Sequence, residues 1–190
     1  GSADAAGVLI GAPKLLGLSY SMDALESMAE KIGSDVKFLL RGGCAIGRGR
    51  GEKLDFLPSI RDYRLLVVVP PIKISTAWAY QSLKLGLTTH SSLLTIISSA
   101  LERGDFSSLW NLLYNDFERL ICAKYPIVGR IKNELLDRGA VGALMTGTGP
   151  AVYGIFEEGG DIESCRRYFE NQGLDVHAAY FLGRGVTTLA

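Results

Sequence analysis

Apolar residues recur three and four positions apart along most of this 190-residue chain, a spacing that predicts amphipathic helices. Hydroxyl or acidic residues precede several of these stretches and glycines follow them, as at helix starts and ends. The predicted helices run after Ser2 or Asp4 up to Gly17, from Ser21 to Gly33, from Ser75 or Thr76 through Tyr80, from Leu93 to Leu101, from Asp105 to Phe117, from Pro126 to Gly139, and from Ile162 to Gln172.

Apolar runs rich in β-branched residues predict four strands, at 63–69, 141–145, 151–156 and 176–181. If the extra helices are set aside, the order from Tyr63 onward is β-α-β-β-α-β, which is that of a ferredoxin-like sheet with a helical insertion. The glycine- and arginine-rich stretch 41–51 predicts short strands and tight turns. A domain boundary is expected between Pro58 and Asp62. The predicted fold class is α+β.

The most distinctive segment, Thr146-Gly147-Thr148-Gly149-Pro150, joins two of the predicted strands. Glycine adopts positive φ readily, so that successive backbone N–H groups can converge on one anion, and the threonine hydroxyls add donors. An ordinary β-hairpin turn is the alternative. The chain also begins with small residues, Gly1, Ser2 and Ala3, which resemble the end of a second phosphate-binding loop that leads into a helix.

Composition narrows the range of partners. Twenty basic and twenty acidic side chains cancel, so no overall field attracts nucleic acid. The longest strongly apolar run, Leu65 to Val69, is far shorter than the roughly 20 residues needed to span a bilayer. No metal site is predicted, because the cysteines and histidines are widely separated, at Cys44, Cys122 and Cys165 and at His90 and His177. The odd cysteine count favours a reducing compartment.

Longer motifs resemble a known family. The segment Gly33-Ser34-Asp35-Val36, continued through Arg41-Gly42-Gly43-Cys44 to Glu52, closely resembles the middle of GHMP kinases, in particular of those that phosphorylate a cytidylated methylerythritol. The segments 75–80, 114–118 and 123–126 and the Thr-Gly-Thr-Gly-Pro turn are similar to the same enzymes. The resemblance covers almost the whole chain.

This resemblance implies an α+β GHMP kinase fold, with 1–60 as the C-terminal part of the N-terminal, ATP-binding domain and 61–190 as the C-terminal domain. It implies ATP-dependent phosphorylation of the tertiary hydroxyl of the substrate in non-mevalonate isoprenoid biosynthesis, with ATP and Mg²⁺ as cofactors. A bacterial cytoplasm or plastid stroma is the expected location, and a weak homodimer is one expected form of the protein. The N-terminal part of the family is expected to be missing, which would leave the chain inactive alone.

The resemblance also assigns roles to single residues. Asp35 is the expected catalytic base, with a helix cap as the alternative role. Tyr80 is expected to stack on cytosine, with a place in the core as the alternative. Thr76 either contacts substrate or caps its helix. The expected ATP and phosphate contacts come from both small-residue segments, Gly1, Ser2 and Ala3 and Gly147, Thr148 and Gly149.

Three cations have two interpretations each. Lys37 stands where the family usually has proline, and it either faces solvent or supplies a cation near the substrate. Arg48 and Arg50 either face phosphate or belong to a solvated turn.

Two other functions remain open. The first is a GHMP kinase for another alcohol, such as homoserine or a mevalonate derivative, against which Tyr80 and the Gly-Ser-Asp-Val segment argue. The second is a non-enzymatic ferredoxin-like module that binds RNA or a protein. Tyr153 and Phe156 argue against the RNA-binding version because their opposite parity on one strand directs them to opposite faces of the sheet.

Overall fold

The computed structural model describes residues 1–49, 51–83 and 91–186, with 91 and 92 described by their backbone alone. These residues form two compact units. The first contains Gly1–Ile60 and the tail from Leu182, and the second is Arg61–Phe181. Within the described residues, no helix has the length and apolar character that crossing a bilayer requires.

The described part of the tail groups with the first unit, whereas the predicted domain range 61–190 includes it with the second. The N–H groups of Gly185 and Val186 donate to the carbonyl oxygens of Arg41 and Leu39, at 2.6 and 3.3 Å. These bonds tie the described tail to the first unit, although the tail follows the last strand of the second unit in sequence.

The first unit consists of three helices and a hairpin. Its buried cluster holds Ala6, Leu25, Ala29, Val36 and Leu40, to which all three helices contribute. The elements are α1 (Ser2–Leu15), α2 (Met22–Ile32), α3 (Ser34–Arg41), and the antiparallel pair β1 (Cys44–Arg48) and β2 (Lys53–Leu57).

Helix α3 is absent from the sequence-based prediction. It has eight residues between Gly33 and Gly42, so only Val36 and Leu40 mark a buried face at helical spacing. Two turns are too short for a clear periodic signal. Packing on α1 and α2 stabilises the helix in place of intrinsic propensity.

The second unit contains a four-stranded antiparallel sheet in the order β4-β5-β3-β6. Its strands are β3 (Tyr63–Val69), β4 (Gly142–Met145), β5 (Val152–Glu157) and β6 (Asp175–Tyr180). The first strand of the unit therefore lies between its third and fourth, which is the ferredoxin-like arrangement. The predicted fold class is confirmed.

The described helices of the second unit differ from the prediction in two places, since the helix at Glu118–Lys124 is absent from the prediction and one predicted helix is broken. The continuous helix predicted from Asp105 to Phe117 is wrong, because helical structure ends after Leu112 and Leu113 is extended. The side-chain oxygen of Asn115 accepts from the N–H of Phe117 at 2.9 Å, a local bond that competes with the helical ladder. The described helices are α4 (Thr76–Ser82), α5 (Ser91–Arg103), α6 (Phe106–Leu109), a 3₁₀ turn (Trp110–Leu112), α7 (Glu118–Lys124), α8 (Pro126–Asp137) and α9 (Ile162–Asn171).

The core of the second unit lies between the sheet and its helices. Side chains with almost no exposed surface fill it: Leu66, Val68, Ile131, Leu135, Phe156 and Phe169. All four residues of β4 are buried. The hairpin formed by β4 and β5 is therefore a rigid support for the loop between them.

Candidate active site

The loop between β4 and β5 is a tight turn with two left-handed glycines. Gly147 has φ +55° and Gly149 has φ +76°, values that non-glycine residues rarely adopt. The N–H of Thr146 donates to the carbonyl of Ala151, and the N–H of Gly149 donates to the carbonyl of Thr146, both at 2.9 Å. A Cβ on Gly149 would lie 2.7 Å from Met145 Sδ, so the Met145 side chain would have to shift to accept one.

The amides at the middle of this turn are available to a ligand. Gly147 is exposed and Thr148 is half-buried, and within the described residues neither N–H donates to a backbone carbonyl. Successive N–H groups next to a left-handed glycine suit an anion. The segment connects the two strands of a hairpin, which was the alternative interpretation of the sequence. Its geometry also fits the predicted phosphate contact at Gly147, Thr148 and Gly149.

Two side chains that sequence reasoning did not single out support this loop. The Asn115 amide donates to the carbonyl oxygens of Met145 and Gly147, at 2.7 and 2.8 Å. Glu118 accepts from the N–H of Met145 at 3.0 Å and pairs with Lys132. In the sequence, the segment 114–118 was notable only for its family resemblance. Its structural role could not be predicted because its hydrogen-bond partners lie 27 to 32 residues away.

Helix α4 separates the alternatives for Thr76 and Tyr80. Ser75 is the N-cap, since its hydroxyl accepts from the N–H of Trp78 at 3.3 Å, so that Thr76 is not the cap and stands exposed in the first turn. Tyr80 is 61% exposed, which contradicts a place in the core. Its ring meets the ring of Phe117 edge to face, with centroids 4.9 Å apart. One side of the Tyr80 ring is thus supported while much of it faces solvent.

Asp35 lies in the first turn of α3, in the first unit. The N-cap is Gly33, and α3 has no side-chain capping hydrogen bond, so the cap alternative for Asp35 is wrong. The Asp35 side chain is exposed. An open cavity of 420 Å³ adjoins the start of α3, lined by Glu30, Lys31, Ile32, Gly33, Ser34 and Glu52.

Gly1, Ser2 and Ala3 form the start of α1, also in the first unit. Ala6 follows them within one turn and belongs to the same buried cluster as Val36, the neighbour of Asp35. Packing therefore brings the first turns of α1 and α3 into one region of the unit. The remaining candidates, Thr76, Tyr80 and the 146–149 loop, belong to the second unit.

Lys37 and Arg48 of the first unit are paired with carboxylates. Lys37 pairs with Glu30 and Glu26 of α2, and the hydrogen bond to Glu30 raises the pKa of the Lys37 ammonium. Lys37 therefore joins α3 to α2. Arg48 pairs with Asp55 across the β1–β2 hairpin at 2.7 Å, on the exposed surface. Arg50 and His90 lie outside the described residues.

The cysteines offer no activated thiol. Burial raises the pKa of Cys165 to about 11 and those of Cys44 and Cys122 above their ordinary value, so that all three thiols are protonated at neutral pH. Among the described residues, no group of three or more His, Cys, Asp or Glu side chains is placed to hold a metal ion.

Sequence comparisons relate the chain to kinases. A family model described as the C-terminal region of GHMP kinases matches residues 97–175. The 4-diphosphocytidyl-2-C-methyl-D-erythritol kinase of Synechococcus sp. (strain JA-3-3Ab) is 41% identical over 163 residues, covering 82% of this chain and 53% of that protein. The kinase of the same name from Thermoanaerobacter pseudethanolicus is 37% identical over 187 residues, covering 98% of this chain and 63% of that protein.

The chain is homologous to GHMP kinases. It spans between about half and two thirds of the length of these curated relatives, 53% and 63%.

Two solved kinase structures share the fold. A crystal structure of 4-(cytidine 5'-diphospho)-2C-methyl-D-erythritol kinase superposes with a TM-score of 0.70 at 26% identity, covering 93% of this chain and 63% of that one. The homoserine kinase of Cytophaga hutchinsonii gives a TM-score of 0.80 at 18% identity, covering 97% of this chain and 65% of that one. The second likeness concerns the fold alone.

Proposed function

We propose that the protein containing this chain phosphorylates the tertiary hydroxyl of 4-diphosphocytidyl-2-C-methyl-D-erythritol with ATP, as a step of non-mevalonate isoprenoid synthesis. The observation that carries the proposal is the identity of 37–41%, over 82–98% of the chain, to kinases of that name. The exposed Tyr80 ring supports a substrate that carries a base, since any nucleobase offers a face for stacking.

The described residues supply three parts of such a reaction. The Asp35 carboxylate, exposed and not engaged in capping α3, accepts the proton of the attacking hydroxyl. The N–H groups of Gly147 and Thr148 bind phosphate oxygens. Tyr80 stacks on the cytosine ring, and Thr76 offers its exposed hydroxyl one turn earlier on α4. We assign residues 1–60 to the ATP-binding domain and 61–181 to the C-terminal domain.

The fit to ATP and Mg²⁺ rests on the loop. The left-handed Gly147 and Gly149, together with N–H groups of Gly147 and Thr148 that donate to no backbone carbonyl of the described residues, support binding of a nucleotide phosphate there. Mg²⁺ keeps several waters and binds through one or two carboxylates together with the phosphates, so a cage of protein ligands is not needed. When bound, Mg²⁺ neutralises phosphate charge during transfer.

A coupled ADP-release assay on the full-length gene product tests the proposal. The cytidylated methylerythritol, homoserine and mevalonate are offered in parallel at equal concentration, with magnesium ATP. We expect turnover of the cytidylated alcohol to exceed that of the other two by about 10³-fold or more, because a site built for the base loses that contact with the smaller alcohols. Preferred turnover of homoserine or mevalonate would refute the substrate assignment while keeping the kinase class.

We expect Tyr80→Ala to raise KM for the cytidylated substrate by about 5- to 150-fold, which corresponds to about 1–3 kcal/mol for one lost stacking contact. Tyr80→Phe is the matched control and should stay within about threefold of wild type, because it keeps the ring. Steady-state kinetics with each substrate varied in turn provide the measurement. A rise in KM for ATP, with the other KM unchanged, would place Tyr80 in the nucleotide pocket.

A further inference from the structure

Asn115 makes three hydrogen bonds that join two parts of the candidate site. Its Nδ2 atom donates to the carbonyl oxygens of Met145 and Gly147, and its Oδ1 atom accepts from the N–H of Phe117. A carboxamide combines two donors with an acceptor, and this set of partners fixes its orientation, since the flipped amide would place its oxygen against two carbonyl oxygens.

The loop side of this contact lies on a sheet edge. Strand β4 is at the end of the order β4-β5-β3-β6, so it has β5 on one side only. The N–H and carbonyl of Met145 both bind the segment 115–118, through Glu118 and Asn115 respectively. Side chains thus take the place of a neighbouring strand where β4 leads into the loop.

The other side of the contact leads to Tyr80. The Asn115 oxygen holds the N–H of Phe117, and the Phe117 ring meets Tyr80 edge to face at 4.9 Å. Asn115 therefore touches the backbone of the phosphate loop and the support of the stacking ring at the same time. Glu118 is fixed in turn by Lys132, which leaves its second oxygen for Met145.

We propose that Asn115 is a positioning residue that sets the geometry of the 146–149 phosphate loop through its amide donors and the seat of Tyr80 through its carbonyl oxygen. This inference rests on the proposed function. It assigns a different substrate to each end of the Asn115 amide. The Nδ2 donors affect the binding of ATP, and the Oδ1 acceptor affects the binding of the cytidylated alcohol.

Three variants of the full-length gene product test the inference. Asn115→Asp keeps an acceptor for the Phe117 N–H but turns carboxylate oxygen toward the carbonyls of Met145 and Gly147. Phe117→Leu keeps the backbone N–H at position 117, which donates to Asn115, and removes the aromatic ring that contacts Tyr80. Asn133→Asp, at an exposed position of α8, is the matched control for the amide-to-carboxylate change.

For Asn115→Asp we expect KM for ATP to rise about tenfold or more, with KM for the cytidylated alcohol within about twofold of wild type. For Phe117→Leu we expect the reverse, a rise of about threefold to tenfold for the alcohol with ATP unchanged. Asn133→Asp should match wild type. If Asn115→Asp does not accumulate as folded protein, Asn115→Ser carries the same expectation, since it keeps one donor at most.

Calorimetric titration with a non-hydrolysable ATP analogue separates this inference from the proposed function. Weaker analogue binding by Asn115→Asp than by Asn133→Asp supports the inference even where the cytidylated alcohol is not phosphorylated. Wild-type KM and analogue affinity in Asn115→Asp overturn it while the kinase function stands. Wild-type protein that neither binds the analogue nor phosphorylates any of the three alcohols overturns both. A lower melting temperature with unchanged KM values shows a purely structural role and also overturns the inference.

Discussion

Replacement of Asp35 by asparagine is expected to lower kcat of the full-length gene product by about 10²-fold or more, the usual range for loss of a general base. The change is nearly isosteric, so both substrates should bind within a few-fold of wild type. The carboxylate is exposed in the first turn of α3 and does not cap that helix. The loss should therefore appear in turnover and not in folding.

Asp23 offers a matched control for this variant. It occupies the same second position of its helix, in the first turn of α2, and is also exposed. Asp23→Asn and Asp35→Asn remove the same favourable charge from a helix N-terminus, worth about 0.3–1 kcal/mol. Equal melting temperatures with unequal kcat would isolate the chemical role of Asp35.

The measurement is ADP release at saturating concentrations of both substrates, with the melting temperature of each variant recorded in parallel. Near-wild-type turnover by Asp35→Asn would falsify its assignment as catalytic base. A parallel fall for both variants would instead indicate a general effect of helix charge on the first unit.

The sheet of the second unit was predictable because its strands carry strong local signals. Continuous β-branched residues in β3 and the turn residues at Thr146–Pro150 mark strands and hairpin without reference to the rest of the chain. The ferredoxin-like order then follows from the sequence of elements. Apolar periodicity likewise located α9, whose buried residues are Ile162, Cys165 and Phe169.

The errors at α3 and after Leu112 have one cause. In both places, contacts with residues distant in sequence determine the local conformation. Helix α3 is short and stabilised by packing on α1 and α2. The break after Leu112 depends on Asn115, whose other partners lie on the distant β4 hairpin. Apolar residues at helical spacing continue through this segment, so periodicity alone predicted an unbroken helix.

The sequence was sufficient to propose which residue types form the candidate site. It was not sufficient to predict the exposure and hydrogen-bond partners of those residues. The glycines and threonines of the loop indicate an anion-binding turn by themselves. The exposure of Tyr80 and the capping of α4 by Ser75 can be recognised only in the structure. Asn115 and Glu118 act through backbone partners, which leave no trace in side-chain spacing.

Replacement of Gly42 by alanine is expected to destabilise the first unit by roughly 2–5 kcal/mol, the sum of a strained backbone and an overpacked contact. Gly42 follows α3 with φ +67°. A Cβ there would lie 2.2 Å from the carbonyl carbon of Arg184 and from the nitrogen of Gly185. Both neighbours are backbone atoms, which cannot move aside as a flexible side chain can.

A control variant at Gly17 separates backbone strain from overpacking. Gly17 has the same φ of +67°, but a Cβ added there would meet no atom of the described residues within 4 Å. Gly17→Ala should cost only the backbone strain, about 1–2 kcal/mol. Urea unfolding of both variants, followed by circular dichroism, gives the free energies of unfolding. Hydrogen exchange at the amides of Gly185 and Val186, which bond to the end of α3, should accelerate in Gly42→Ala alone. Equal losses in the two variants, with protection of these amides retained, would show that the tail does not pack against α3, the helix whose first turn carries Asp35.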